Sequence, residues 1–216
     1  MEKVTLTING LEVVADKQAT ILQTALREGI YIPHLCYHPD LKPSGVCRLC
    51  MVDVDGKVVI SCQTVVEQAM VIRTRSLELD KVVRANVELL VANHHLSCRG
   101  CPGSGPCALQ KIMASIRVDR KRLRRLRTPQ EELDRDHSNP FFDYDPNKCV
   151  LCGICVHTCE KIQGALNVVN RGYSTRIAFF GDPSRCESCD ECVARCPVGA
   201  LIAKEKVISQ ESPLSK

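Results

Sequence analysis

The chain has 216 residues, a formal net charge of +4 at pH 7 and 15 cysteines. That length allows one or two domains, and so mild a charge does not by itself indicate nucleic-acid binding. The odd number of cysteines argues against a framework made of disulfides alone. No apolar run approaches the roughly 18 residues that span a bilayer, and the N-terminus has no apolar signal-peptide core. We therefore expect a cytoplasmic protein whose dense, reduced thiols bind metal.

The start of the chain carries strand and turn signals. Residues 3–15 alternate around Asn9-Gly10, a pair that favours a type I′ turn and predicts a β-hairpin. Thr20 is a candidate N-cap for a helix that Gly29 ends. Asp55-Gly56 predicts a second hairpin.

Four cysteines fall in this first segment with the spacing C-x10-C-x2-C-x11-C, and they are Cys36, Cys47, Cys50 and Cys62. Plant-type [2Fe–2S] ferredoxins use C-x4-C-x2-C and a distant fourth cysteine, so the first gap is longer here and the last is shorter. The order of hairpin, helix, loop and hairpin nevertheless favours a β-grasp [2Fe–2S] ferredoxin domain over residues 1–75. A four-cysteine zinc site is the alternative.

The second predicted segment spans residues 76–127. Apolar residues recur every three or four positions over 76–93, which predicts a helix. Metal-ligand side chains follow in the order His94, Cys98, Cys101 and Cys107. One histidine and three cysteines make four ligands, so this segment is a candidate [4Fe–4S] site. His95 is a rival ligand that the chemistry of the residues does not separate from His94.

A basic run, RKRLRRLR at Arg120–Arg127, closes this segment. It is interpreted either as a solvated helix, offset by the acidic residues that follow, or as a docking face for an acidic partner. Nucleic-acid contact is a third alternative, although no aromatic residues are interleaved with the basic ones. Prolines then predict an extended connector over residues 128–147.

The last cysteines repeat one pattern twice. Each copy reads C-x2-C-x2-C-x3-C, first as Cys149, Cys152, Cys155 and Cys159, then as Cys186, Cys189, Cys192 and Cys196. Bacterial-type ferredoxins with two [4Fe–4S] clusters use this run, and the fourth cysteine of each run binds the other cluster. Cys196 is therefore predicted to join the first three cysteines of the first run, and Cys159 those of the second. Structural zinc is the less favoured alternative.

The domain prediction follows from these patterns. A ferredoxin-like domain with two [4Fe–4S] clusters is expected over residues 148–205, and a polar tail over residues 206–216. The fold class is therefore α+β, built from a β-grasp [2Fe–2S] ferredoxin domain, a helical segment with one histidine and three cysteine ligands, and a bacterial-type ferredoxin domain. One [2Fe–2S] and three [4Fe–4S] clusters would use all 15 cysteines. No phosphate-binding glycine loop or catalytic triad stands out, so we predict no catalytic residues.

The order of these cysteine patterns resembles a known family module. It is similar to the N-terminal iron–sulfur part of the large peripheral-arm subunit of respiratory complex I and to the N-terminal domain of multi-cluster [FeFe] hydrogenases. Closest in length is the small iron–sulfur diaphorase subunit of NAD-reducing [NiFe] hydrogenases. The resemblance implies [2Fe–2S] on the first four cysteines and selects His94 over His95. Glu160 stands where such runs often have proline, and Arg120–Arg127 does not map onto the family.

The resemblance also implies a function. It indicates an electron-transfer subunit, not an enzyme on its own, in a soluble NAD(P)H-linked oxidoreductase complex. A flavin- and NAD(P)-binding subunit is expected on one side, and a hydrogenase, formate dehydrogenase or electron-bifurcating flavoprotein on the other. The length is expected to fit a stand-alone subunit, with the paired runs as the exit half of the relay. A redox-sensing or nucleic-acid-binding iron–sulfur protein is the alternative.

Overall fold

The computed structural model describes residues 2–92, 94–101, 103, 107–119, 121, 123, 132–187 and 189–204. Most of the basic run Arg120–Arg127 and the whole predicted tail 206–216 lie outside these residues. In the part of the chain so described, the strands form one five-stranded sheet and two two-stranded sheets. No helix among the described residues is long and apolar enough to cross a membrane.

The N-terminal unit is a mixed sheet with one helix against it. Its strands are β1 (Lys3–Ile8), β2 (Leu11–Asp16), β3 (Met51–Val54), β4 (Lys57–Ile60) and β5 (Val71–Arg73). They lie in the order β2-β1-β5-β3-β4, and β1 and β5 are parallel while the other neighbours are antiparallel. Both predicted hairpins are confirmed, because Asn9-Gly10 and Asp55-Gly56 adopt the positive φ angles that a type I′ turn requires.

Helix α1 (Ile21–Arg27) completes this unit. It begins at Thr20, whose hydroxyl accepts the Gln23 backbone N–H, while the Gln23 side chain accepts the Thr20 N–H. Its buried face, which includes Ile21, Leu22 and Ala25, packs with the inner side chains of the sheet into one core. The predicted β-grasp fold is therefore confirmed.

Two helices follow the sheet. Helix α2 (Leu77–Ala92) lies within the predicted range, and the Ser76 hydroxyl caps it by accepting the Leu79 N–H at 3.1 Å. Helix α3 (Ala108–Ser115) follows the Cys98–Cys107 loop. His94 lies just after the end of α2, and Cys107 lies just before the start of α3.

The C-terminal unit contains short elements around the cysteine runs. These are β6 (Phe142–Tyr144), α4 (Ile154–Glu160), β7 (Leu166–Val169), β8 (Arg176–Phe179), α5 (Glu191–Ala194) and β9 (Leu201–Ala203). Strand β6 pairs with β9, and β7 with β8, both antiparallel. The end of the segment predicted as a connector, 128–147, thus contains a strand of the C-terminal unit. The connector prediction missed β6 because its partner lies about sixty residues away in the sequence.

The buried side chains form two clusters. One is the core of the β-grasp unit. The other joins α2, α3 and the C-terminal unit, and it also includes Cys36 and Cys47 from the N-terminal unit. The loop after Cys36 is held from outside as well, since Arg195 lies 3.6 Å from the Asp40 carboxylate and Lys161 donates to the Asp40 carbonyl. The first cysteine loop therefore belongs physically to both clusters.

Gly181, just after β8, offers a test of this packing. A methyl group at Gly181 would collide with the buried Cβ of Ala165 and lie 3.3 Å from the Phe179 ring. Gly181→Ala is therefore expected to destabilise the C-terminal unit by about 1–3 kcal/mol through overpacking. The measurement is the denaturant midpoint at which cluster absorbance is lost. The double variant Ala165→Gly/Gly181→Ala should recover most of the loss, and an unchanged midpoint in the single variant would contradict the packing.

Candidate metal centres

The first candidate centre lies at one end of the β3–β4 hairpin. Strand pairing sets Met51 opposite Ile60, and the Ser61 N–H donates to the Cys50 carbonyl at 2.9 Å. Cys50, just before β3, and Cys62, just after β4, are therefore neighbours. Cys36 and Cys47 come from the long loop that follows α1, and all four cysteines are buried.

The four sulfurs are arranged as two pairs. A hydrogen bond between sulfurs joins Cys36 to Cys47 and another joins Cys50 to Cys62, and it lowers the pKa of Cys36 and Cys50 while raising that of each partner. No three His, Cys, Asp or Glu side chains among the described residues converge on a single metal ion. A [2Fe–2S] cluster has two irons with two thiolates each, so an arrangement of the four sulfurs in two pairs fits it.

The second candidate centre surrounds a cavity of about 110 Å³ that the 94–101 loop, the start of α3 and Lys148 line. Its polar and sulfur lining consists of His94, His95, Cys98, Cys101, Cys107, Gln110 and Lys148. Leu96, Leu109 and Met113 supply the apolar lining. The predicted histidine and three cysteine ligands are thus brought together around one space.

The contacts of the two histidines differ. His94 is 5% exposed, and its Nδ1 lies 3.0 Å from the Lys148 carbonyl oxygen. A carbonyl only accepts, so Nδ1 carries the proton and Nε2 is left as the metal-binding nitrogen. His95 also borders the cavity, but its Nδ1 lies 3.9 Å from the Glu132 carboxylate and its side chain is more exposed. This geometry favours His94 over His95 as the metal ligand, and the choice of His94 remains a prediction.

In the paired cysteine runs, the fourth cysteine of each run lies close enough to cysteines of the other run for their charges to interact. The pKa of Cys152 is raised to about 12, chiefly by burial and in addition by the charges of Cys196 and Cys149. Burial likewise raises the pKa of Cys192 to about 12, and there the neighbouring charges are those of Cys159, Cys189 and Cys186. Cys196 therefore lies among the cysteines of the first run and Cys159 among those of the second. This grouping supports the predicted exchange of ligands.

Backbone geometry around these sulfurs suits thiolates. Leu151, at a φ of 53°, turns its N–H to within 3.4 Å of the Cys149 sulfur. The Ala200 N–H lies 3.2 Å from the Cys196 sulfur. N–H groups aimed at sulfur stabilise thiolate ligands, and a bound metal deprotonates a coordinating thiol despite its burial. The donor set therefore fits iron–sulfur clusters.

Side chains that sequence reasoning missed also contact the sulfurs. The amide of Gln163 lies 3.2 Å from the Cys186 sulfur and that of Asn139 3.8 Å. Asn139 is oriented by the Phe141 N–H, which donates to its Oδ1, so its Nδ2 must face the sulfur. The Tyr144 hydroxyl accepts the Ile177 N–H and donates to Cys149. Cysteine spacing contains no signal for these contacts.

Gln163 gives a prediction for the cluster that includes Cys186. Gln163→Met keeps the length of the side chain but removes the N–H donor. Hydrogen bonds to sulfur stabilise the reduced cluster, so this variant should lower the reduction potential of one [4Fe–4S] centre. EPR-monitored redox titration measures it. Asn167→Leu is the matched control, because that exposed amide donates to the Gly164 carbonyl and to no sulfur. An unchanged potential in Gln163→Met would show that the bond does not tune the cluster.

Comparison with known families assigns each centre to a class. Residues 1–76 match the 2Fe-2S iron-sulfur cluster binding domain, and residues 148–200 match the 4Fe-4S dicluster domain. Residues 84–122 match the iron-sulfur binding region of NADH-ubiquinone oxidoreductase-G. Fold and site together therefore define an iron–sulfur protein that combines 2Fe–2S and 4Fe–4S domains.

Individual relatives narrow this class. The chain is 36% identical over 206 residues to the NADPH-Fe(3+) oxidoreductase subunit alpha of Geobacter sulfurreducens, covering 93% of this chain and 24% of that protein. It is 35% identical over 208 residues to an NADH-quinone oxidoreductase subunit of Rhizobium meliloti, covering 94% of this chain and 24% of that protein. The chain thus spans about a quarter of the length of these curated relatives.

A solved structure matches over nearly the whole length. One chain of the NAD+-reducing [NiFe]-hydrogenase crystal structure in the H2-reduced state superposes with a TM-score of 0.83 at 30% identity. The match covers 97% of this chain and 90% of the hydrogenase chain. The protein belongs to the family of iron–sulfur subunits that includes this hydrogenase chain, and it is related to the NADH-quinone oxidoreductase subunit of Rhizobium meliloti.

Proposed function

We propose that this chain is an electron-transfer subunit of a soluble NAD(P)H-linked oxidoreductase complex and has no substrate site of its own. It would bind one [2Fe–2S] and three [4Fe–4S] clusters on the ligands predicted from the sequence. Clusters of this kind supply one-electron redox chemistry, and the protein fixes their spacing and tunes their potentials. The polypeptide's part is therefore to hold the four ligand sets close together.

The observation that carries the proposal is a pair of hydrogen bonds between ligand sets, one from a side chain and one from the backbone. His94 Nδ1 donates to the carbonyl of Lys148, the residue bonded to Cys149. The Ala108 N–H, directly after Cys107, donates at 3.0 Å to the carbonyl of Pro197, directly after Cys196.

Both links run from the predicted His94 site to ligands of a single predicted cluster, since Cys149 and Cys196 share one cluster in the exchanged assignment. Gly103 adds to the contact, because a methyl group there would lie 2.8 Å from the Val198 carbonyl oxygen. The two ligand sets are therefore packed closely against each other, which keeps the distance between their clusters short, as efficient electron transfer requires.

The predicted [2Fe–2S] site also lies close to the predicted cluster of Cys149. The charge of Cys36 contributes to the raised pKa of Cys152, after burial and nearer cysteines. Cys36 and Cys47 also share the buried cluster that surrounds the C-terminal cysteines. These contacts favour an order in which the cluster of Cys149 lies between the [2Fe–2S] site and the His94 site. The relay then branches at this cluster and does not follow the order of the sequence.

The relatives suggest the partners. Their names refer to NADPH, NADH and NAD+ as reactants, and the matched structure is a hydrogenase. We therefore propose a flavin- and NAD(P)-binding subunit on one side. A second redox subunit, of hydrogenase, formate dehydrogenase or bifurcating flavoprotein type, would lie on the other.

The test uses the full chain, reconstituted with iron and sulfide without oxygen. We expect four EPR-active clusters after reduction, no oxidation of NADH by the chain alone, and cluster reduction by NADH once a flavoprotein partner is added. NADH oxidation by the chain without any flavin would overturn the assignment as an electron-transfer subunit. Fewer than four clusters in fully loaded protein would overturn the ligand sets instead.

A further inference from the structure

Lys148 is a buried lysine with a distinctive set of contacts. It is 6% exposed and borders the cavity of the predicted His94 site. Its ammonium donates to the His95 carbonyl at 2.8 Å, the Ser97 hydroxyl at 3.1 Å and the Ser97 carbonyl at 3.3 Å. All three acceptors are neutral. No carboxylate among the described residues lies within ion-pair distance of this ammonium.

An ammonium taken out of water is costly unless negative charge compensates it. Lys204 is a useful contrast. It also donates to backbone carbonyls, but its charge is compensated by the Asp143 carboxylate at 3.0 Å. In the part of the chain that the structure describes, Lys148 has no such acid. Negative charge would come instead from the thiolates of Cys98, Cys101 and Cys107, which line the same cavity as Lys148.

We propose that Lys148 is a positioning and charge-tuning residue for the predicted His94 cluster, a role that rests on the proposed function and its ligand set. Its carbonyl holds His94 in the tautomer that leaves Nε2 for metal. Its ammonium compensates the negative charge of the ligand set. Because reduction adds negative charge to the site, a nearby buried cation favours the reduced state and raises the reduction potential.

Three variants separate the charge from the hydrogen bonds. Lys148→Gln keeps a donor for the 95–97 loop but has no charge, Lys148→Met has neither, and Lys148→Arg keeps both. None of them removes the backbone carbonyl that holds His94. Lys111→Met is the control, because Lys111 lies on α3 but does not line the cavity: its ammonium lies 5.0 Å from the Tyr31 ring centroid and is exposed to solvent, where its charge is screened.

The measurement is an EPR-monitored redox titration of the iron-loaded chain, with iron content determined for each variant. Lys148→Gln and Lys148→Met should lower the potential of one [4Fe–4S] centre, whereas Lys148→Arg and Lys111→Met should leave it near that of the unmodified chain. A shift in Lys148→Met but not in Lys148→Gln would overturn the charge role and leave only a structural one. Unchanged potentials in both variants would also overturn the charge role of Lys148.

If Lys148→Met loses one cluster, the potential of that cluster cannot be measured in this variant. Lys148→Gln and Lys148→Arg then test the charge role. If Lys148→Gln also lost the cluster, retention in Lys148→Arg would support the charge role and loss there would overturn it. The ligand assignment is judged separately, from the iron content and cluster number of the unmodified chain. The inference about Lys148 can therefore fail while the proposed function stands.

Discussion

Cys196→Ala is expected to abolish the cluster that includes Cys149, although Cys196 belongs to the other cysteine run. Cys196 contributes to the raised pKa values of Cys152 and Cys155, so its sulfur lies among theirs. Without a fourth ligand the cluster should be lost or degraded, with a fall of about four irons per chain. Iron analysis and EPR of the reduced, anaerobically prepared protein measure the loss.

The same experiment distinguishes exchanged from unexchanged ligation. Exchange predicts that Cys196→Ala and Cys149→Ala remove one and the same EPR signal. It also predicts that Cys159→Ala and Cys186→Ala both remove a different one. If Cys159→Ala instead matches Cys149→Ala, each run binds its own cluster and the exchange is wrong.

A further consequence concerns the order of the relay. If the cluster of Cys149 lies between the [2Fe–2S] site and the His94 site, Cys196→Ala should slow electron exchange between those two sites. Cys159→Ala should leave it nearly unchanged, since the cluster of Cys186 lies on a side branch. Freeze-quench EPR after rapid partial reduction follows both centres at once. Equal slowing in the two variants would contradict the branched order.

The β-grasp unit was predictable because its signals are local. Asn-Gly and Asp-Gly turns, a threonine N-cap and alternating apolar residues each act over a few neighbouring positions. The cysteine spacings behind the predicted ligand sets are local signals of a similar kind. A C-x2-C spacing requires a tight loop that turns backbone N–H groups toward sulfur, as Leu151 does beside Cys149.

What the sequence could not show are contacts between distant segments. Lys148 and His94 are 54 residues apart, and Asn139 and Cys186 are 47 apart. Strand β6 was missed because its partner β9 lies far away in the sequence, and because a three-residue strand has no periodicity of its own. Only the proximity of Lys148 to Cys149 in the sequence offered a signal, since a charged residue next to a ligand can act on the metal site. In the proposed relay, these contacts would set the order and the reduction potentials of the clusters.

Replacing His94 tests the remaining centre most directly. His94→Ala should disrupt one [4Fe–4S] centre and leave the [2Fe–2S] EPR signal intact, because none of the predicted [2Fe–2S] ligands lines the cavity of His94. His95→Ala is the adjacent control and should retain every cluster, since the His95 side chain is partly exposed near Glu132. If His95→Ala loses the cluster and His94→Ala does not, the choice of ligand is wrong.

His94→Cys separates the ligand role from packing. A thiolate at this position can bind iron but adds a negative charge that a neutral imidazole lacks. The cluster should therefore be retained with a lowered reduction potential, whereas a purely structural histidine would give no shift of potential. The shift should be largest when Lys148 is also replaced, because the added negative charge then has no buried cation to offset it. Equal shifts with and without Lys148 would mean that the two side chains act on the centre independently.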